Sequence, residues 1–123
     1  MEKATEGSPY LEAWRWIERN LGTVDASGLA KLLLSLWNHS NAFSFRECID
    51  NLSDERKHLA LRIAAHFAQH GEDRELVELG YQVADVYPRL FEVGQAAWEA
   101  KRALYEKWRI DDAKIEAQES DDE

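Results

Sequence analysis

The chain has 123 residues and a formal net charge of -9, with 45% hydrophobic and 32% charged residues, a balance that supports one folded domain and argues against wholesale disorder. No apolar stretch approaches the ~20 residues of a membrane span, and Met1–Ser8 has charges but no apolar core of a secretion signal. Cys48 is the sole cysteine, so an internal disulfide is excluded and a reducing, cytoplasmic setting is the expectation.

Residues 1–8 read as a loose leader. Ser8-Pro9 then suits a helix opening, because a serine oxygen accepts an otherwise orphan N–H and proline lacks only a donor that would go unused there. Tyr10, Trp14, Ile17 and Leu21 recur every three or four residues and predict one buried helix face, ended by Gly22. Trp16 lies off that stripe. A second helix opens at Thr23 or Asp25, with Leu29, Leu32, Leu33, Leu36 and Trp37 as its apolar face and Leu34 widening it. Asn38–Asn41 is a polar break, after which Phe43 and Phe45 are expected to return to the core. Ser44 and Glu47 have capping-box spacing for a short helix carrying Cys48, Ile49 and Leu52.

Ser53 is placed to cap a fourth helix, whose buried line is Leu59, Ile63, Ala64 and Phe67, supported by Ala60 and Ala68 and stopped at Gly71. Asp73 caps a fifth, with Leu76, Gly80, Val83 and Tyr87 aligned and Leu79 and Val86 alongside. Pro88 must kink the run or divide it. A final helix is expected from about Pro88 to Arg109. No run alternates like a strand, so the expected fold is all-α: a compact single-domain bundle of five or six helices over residues 9–110, followed by a flexible acidic C-terminal tail over 111–123.

The charge is unevenly placed. Asp111–Glu123 holds seven acidic residues against Lys114, about -6 of the total, whereas the first 110 residues have 14 Lys/Arg against 17 Asp/Glu. The tail suits solubility, fold-back onto the nearby basic run, or steering of a basic partner. Lys101, Arg102, Lys107 and Arg109 are the densest basic run, but they equally suit the negative end of a helix and the adjacent acidic tail, so direct nucleic-acid binding is not expected.

The last helix has two adjoining apolar stripes: Leu90, Val93, Ala97, Leu104 and Trp108, and Phe91, Gly94, Trp98 and Tyr105. Such a broad face fits either a central core helix or a dimer or partner surface, where aromatic side chains concentrate.

Catalytic constellations are thin. His66 and His70 are four apart, continuing a line from His58 and Arg62, but lack an intervening catalytic Glu or further metal ligands and read as a polar face. Cys48 near a helix start reads as a small buried apolar group. Glu72, Asp73, Glu75 and Glu78 gather at a helix start, where acidic residues suit the dipole. No catalytic, cofactor or metal residue is assigned. An alternative, a small metal-dependent or other enzyme, would draw on His58, His66, His70 and Cys48.

Ser27-Gly28-Leu29-Ala30-Lys31 leading into Leu32-Leu33-Leu34-Ser35-Leu36-Trp37-Asn38, with Phe43-Ser44-Phe45 following, resembles small uncharacterised bacterial proteins of plasmids, phages and integrated elements. Those proteins have a Leu/Trp-Asn helix end, a turn, a Phe-x-Leu-like segment and another helix after an acidic position, for which Asp50 and Asp54 are counterparts here. The resemblance spans residues 27–67. Leu36 departs from it where a second Trp is common, as does Asn41-Ala42 where glycine is. The resemblance implies no catalytic residue. It implies an accessory or counter-defence role, such as an anti-CRISPR inhibitor that occupies a protein surface. The functional expectation is thus a noncatalytic protein-binding module, with Trp16, Phe91, Trp98, Tyr105 and Trp108 as candidate contacts and Glu72, Asp73, Glu75 and Glu78 as an electrostatic alternative. A homodimeric assembly subunit is a further alternative.

Overall fold

The computed structural model describes residues 8–121, which form six helices and, among the described residues, no strand. They are α1 (Pro9–Arg19), α2 (Val24–Trp37), α3 (Phe45–Ile49), α4 (Asp54–His70), α5 (Arg74–Val86) and α6 (Pro88–Asp121). The expected leader, 1–7, and the last two tail residues lie outside the described residues.

Side chains set most of the boundaries. Ser8 Oγ accepts from Leu11 N, Thr23 Oγ1 from Ala26 N, and Asp73 Oδ1 from Leu76 N, each satisfying a first-turn donor. Ser44 and Glu47 form the reciprocal capping box that their spacing predicts. Ser53 occupies the position before α4 without a side-chain cap; its N–H donates to Asp25 Oδ2 at 3.2 Å. Gly22 and Gly71 have φ of 86° and 70°, so both turns use the left-handed region that disfavours a Cβ. Pro88 divides the run, with Tyr87 ending α5 and α6 beginning at the proline itself.

α2 is the central helix, packed against each of the other five. Its Leu29, Leu33 and Leu34 are fully buried and meet Tyr10, Ile17, Leu59, Ile63, Leu76 and Val83 in one core. Two glycines permit the closest approaches. A Cβ on Gly28 would stand 2.5 Å from Cys48 O, so α3 lies directly on the α2 backbone. A Cβ on Gly80 would overlap the Trp37 ring, so α5 supplies a slot that the indole fills. Across the surface, Arg62 makes a bidentate pair with Glu12 at 2.8 and 2.9 Å and ties α4 to α1.

Several expected core positions are open. Leu21 lies past the end of α1 and is exposed, Phe45 points outward at the start of α3, and Ala68 and Val86 are exposed near the ends of α4 and α5. Each of these positions lies at or near the end of a helix. The largest difference concerns α6. Its packing partners are α2 and α5, it is not the central helix, and it runs to Asp121 rather than ending near Arg109.

Candidate functional site

α6 divides into a seated half and an overhang. Leu90 and Phe91 pack against the core, and Phe91 lies 6.0 Å from Trp37 between ring centroids. Gly94 is buried because the loop after α2 presses onto it: a Cβ there would meet Asn41 Oδ1 at 2.7 Å and Phe43 Cε2 at 2.8 Å. Ala42 N donates to Gly94 O at 2.9 Å across the same contact. Asn41 is itself buried, and neither polar atom of its side chain has a hydrogen-bond partner. Trp98 marks the rim. It is half-buried, with His39 at 6.1 Å on one side and the Arg102 guanidinium at 5.5 Å over its ring.

Beyond Trp98 the described side chains are exposed from Glu99 to Glu119, apart from half-buried Asp111. Yet this segment is not wholly polar. Leu104 is 48% exposed, Tyr105 62%, Trp108 49% and Ile115 54%. Leu104, Trp108 and Ile115 fall within one narrow arc of the helix, and Tyr105 borders it, with its ring 5.6 Å from that of Trp108. The overhang, at 1.5 Å per residue, extends about 35 Å past the rim. Two ion pairs lie along it: Arg109 with Glu106 at 2.7 Å, and Lys107 with Asp111 at 3.3 Å. The Arg109 guanidinium holds the Glu106 carboxyl below its ordinary range.

Of the other candidates, Trp16, Asp73 and Glu75 are engaged by the body. Trp16 is half-buried beneath the Arg56 guanidinium, 4.8 Å from its ring, and packs against the core. Among the acidic group, Asp73 caps α5 and Glu75 accepts the Ser8 hydroxyl, joining α5 to α1; Glu72 and Glu78 are exposed. Trp16 and the acidic group thus stand apart from Tyr105 and Trp108.

The histidines are not a plain solvated face. His66 is half-buried, edge-on to Tyr10 at 4.9 Å and 4.6 Å from the His70 ring, with Nε2 3.8 Å from Asp73 Oδ2. His58 is exposed elsewhere on α4. Among the described residues no group of three His, Cys, Asp or Glu side chains is arranged to hold a metal ion. Tyr10 donates to Gly71 O at 3.3 Å, and burial, reinforced by Asp73 and Glu75, pushes its phenol up to about 12. Burial likewise pushes the Cys48 thiol up to about 11, the opposite of an activated nucleophile. Cys48 and Gly28 border a shallow groove between α2 and α3, where the nearby Lys31 charge draws the thiol back down but does not outweigh burial.

Leu104 and Trp108 belong to a sequence stripe that is legible in advance, and Ile115 continues it inside the acidic tail, where an isoleucine at that spacing was the available signal. Exposed Leu61 and Tyr81 carry no such signal, lying off the periodic faces of α4 and α5. Among the described residues no helix is long and apolar enough to cross a membrane. No protein-family model, curated protein or solved structure matches this chain.

Proposed function

We propose that this chain is a noncatalytic protein-binding module whose recognition face is the overhanging half of α6. The observation that supports it is the exposure of Leu104, Tyr105, Trp108 and Ile115 on a helix that has left its own core. Helices lay such faces into apolar grooves or against other helices, and Trp and Tyr give large contact area with few rotors to freeze. The acidic group at the start of α5 is a poorer contact surface, since Asp73 and Glu75 already hold intramolecular hydrogen bonds.

The test is capture by the native chain and by Trp108→Ala, with helical circular dichroism recorded for both. A protein retained by the native chain and lost from a folded Trp108→Ala variant supports the overhang as the contact. Equal retention by both removes it. The resemblance of residues 27–67 to proteins of plasmids and phages extends the proposal to a cytoplasmic accessory factor or inhibitor of a host defence complex. In that role, expression of the chain protects an incoming plasmid or phage from host interference, and Trp108→Ala abolishes protection; unprotected elements in a host expressing the native chain overturn this extension.

A further inference from the structure

We infer that the α6 face pairs with a second copy of this chain, antiparallel, through residues 98–115. This rests on the reading of the overhang as a binding face and names its partner. Trp98, Lys101, Tyr105, Trp108, Asp112 and Ile115 follow one another in alternating steps of three and four, the spacing of a coiled-coil seam. The same spacing reaches back through Gly94 and Phe91, which face α2 and the loop after it. The seam is thus continuous with an interface α6 already makes, and it runs off the rim at Trp98 uncovered.

Charge selects both the occupant and the direction. Only Lys101 and Asp112 interrupt the apolar seam, and both are exposed. In a parallel pair each would face its own copy, lysine on lysine and aspartate on aspartate. In an antiparallel pair with the two-fold axis between residues 106 and 107, Lys101 faces Asp112 of the second copy, twice. The same register sets Tyr105 against Trp108 and Trp98 against Ile115, so every remaining seam position meets an apolar or aromatic one. One charged pair in an apolar seam fixes register and orientation because every shifted alignment leaves it unmatched.

The segment also escapes the repulsion expected between chains of charge -9: residues 98–115 hold five basic and four acidic side chains. The register brings Arg102 toward Arg109 of the second copy, but Arg109 already carries Glu106 at 2.7 Å, which offsets that repulsion.

The test is sedimentation equilibrium of the full chain, native and with Lys101→Asp, Asp112→Lys and both together. Both positions are exposed, so helical circular dichroism is expected unchanged. The native chain is expected to be dimeric at about 100 µM, with each single reversal weakening the dimer roughly tenfold or more and the double swap returning it to within about threefold of native. The double swap separates the orientations, because a parallel pair gains nothing from it. A native chain that is monomeric at that concentration overturns the inference, as does a dimer indifferent to the reversals or a double swap as weak as the singles. If the native chain is monomeric while another protein is captured in a Trp108-dependent way, this inference fails alone; if that capture also survives Trp108→Ala, the binding-face reading fails with it.

Discussion

Leu33 and Leu104 are the same residue in the same secondary structure, each on the apolar stripe of its helix. Leu33 is fully enclosed at the centre of α2, whereas Leu104 is 48% exposed on the overhang of α6. The contrast separates two things that periodicity merges. An apolar stripe states that a helix has a face to bury; the topology of the remaining chain decides whether anything is there to bury it. In the body, α2 is enclosed by five helices, and burying a leucine is worth about 2–3 kcal/mol against leaving it in water. On the overhang that free energy is not realised within the chain.

The contrast is quantitative and can be broken. Leu33→Ala is expected to cost about 3 kcal/mol in urea unfolding, through lost burial and the cavity left behind. A loss below about 1 kcal/mol would show that α2 is not the centre of the core. Next in size is an alkaline effect at Tyr10. Its phenol is pushed from 10.0 to about 12, so the unfolded chain ionises there first. Tyr10 therefore contributes its full stability below pH 10, and the contribution falls as pH rises toward 12. Relative to Tyr10→Phe, the native chain is expected to lose of order 2 kcal/mol across that window. Parallel pH profiles for the two chains would contradict the enclosure of that hydroxyl.

Asp73→Ala, which removes the α5 cap, is expected to cost about 1 kcal/mol by the same unfolding measurement. Smallest is Leu104→Ala, expected within about 0.5 kcal/mol when measured on the chain diluted well below any self-association. A cost approaching that of Leu33→Ala would mean the overhang is packed after all. Hydrogen exchange sharpens the same comparison: amides of α2 are expected to open only with global unfolding, and those of residues 99–119 far more readily.

How much of this was legible beforehand follows the same division. The caps at Ser8, Thr23, Ser44 and Asp73, the glycine turns at 22 and 71, and the break at Pro88 depend on chemistry within a few residues, and sequence reading reaches them directly. The exposure of Leu21 and Phe45 is not legible in sequence, because burial there depends on neighbours many residues away. The end of α6 lies beyond the expected Arg109 for a different reason. Acidic composition suggested a tail distinct from the helix, but Lys107 and Asp111, one turn apart, bridge the supposed boundary. Trp98, Tyr105 and Trp108 share an aromatic spacing legible in sequence, yet their division into rim and overhang depends on where α2 and the loop after it stop. Trp16 and Phe91 looked equivalent to them and are instead held against the body.

The seat at Gly94 has a mechanical consequence. It fixes α6 against the Asn41–Phe43 loop through one close approach and one backbone hydrogen bond, and beyond half-buried Trp98, beside His39, the side chains described as far as Glu119 are exposed apart from Asp111. That makes α6 a lever with its fulcrum near one end. At 1.5 Å per residue the arm from Gly94 to Asp121 is about 40 Å, so a tilt of about 5° at the fulcrum moves the tip by roughly 3–4 Å. A displacement of the Asn41 side chain too small to alter the core is thereby magnified into one that a pair of distance probes, on the body and near Ile115, reads directly.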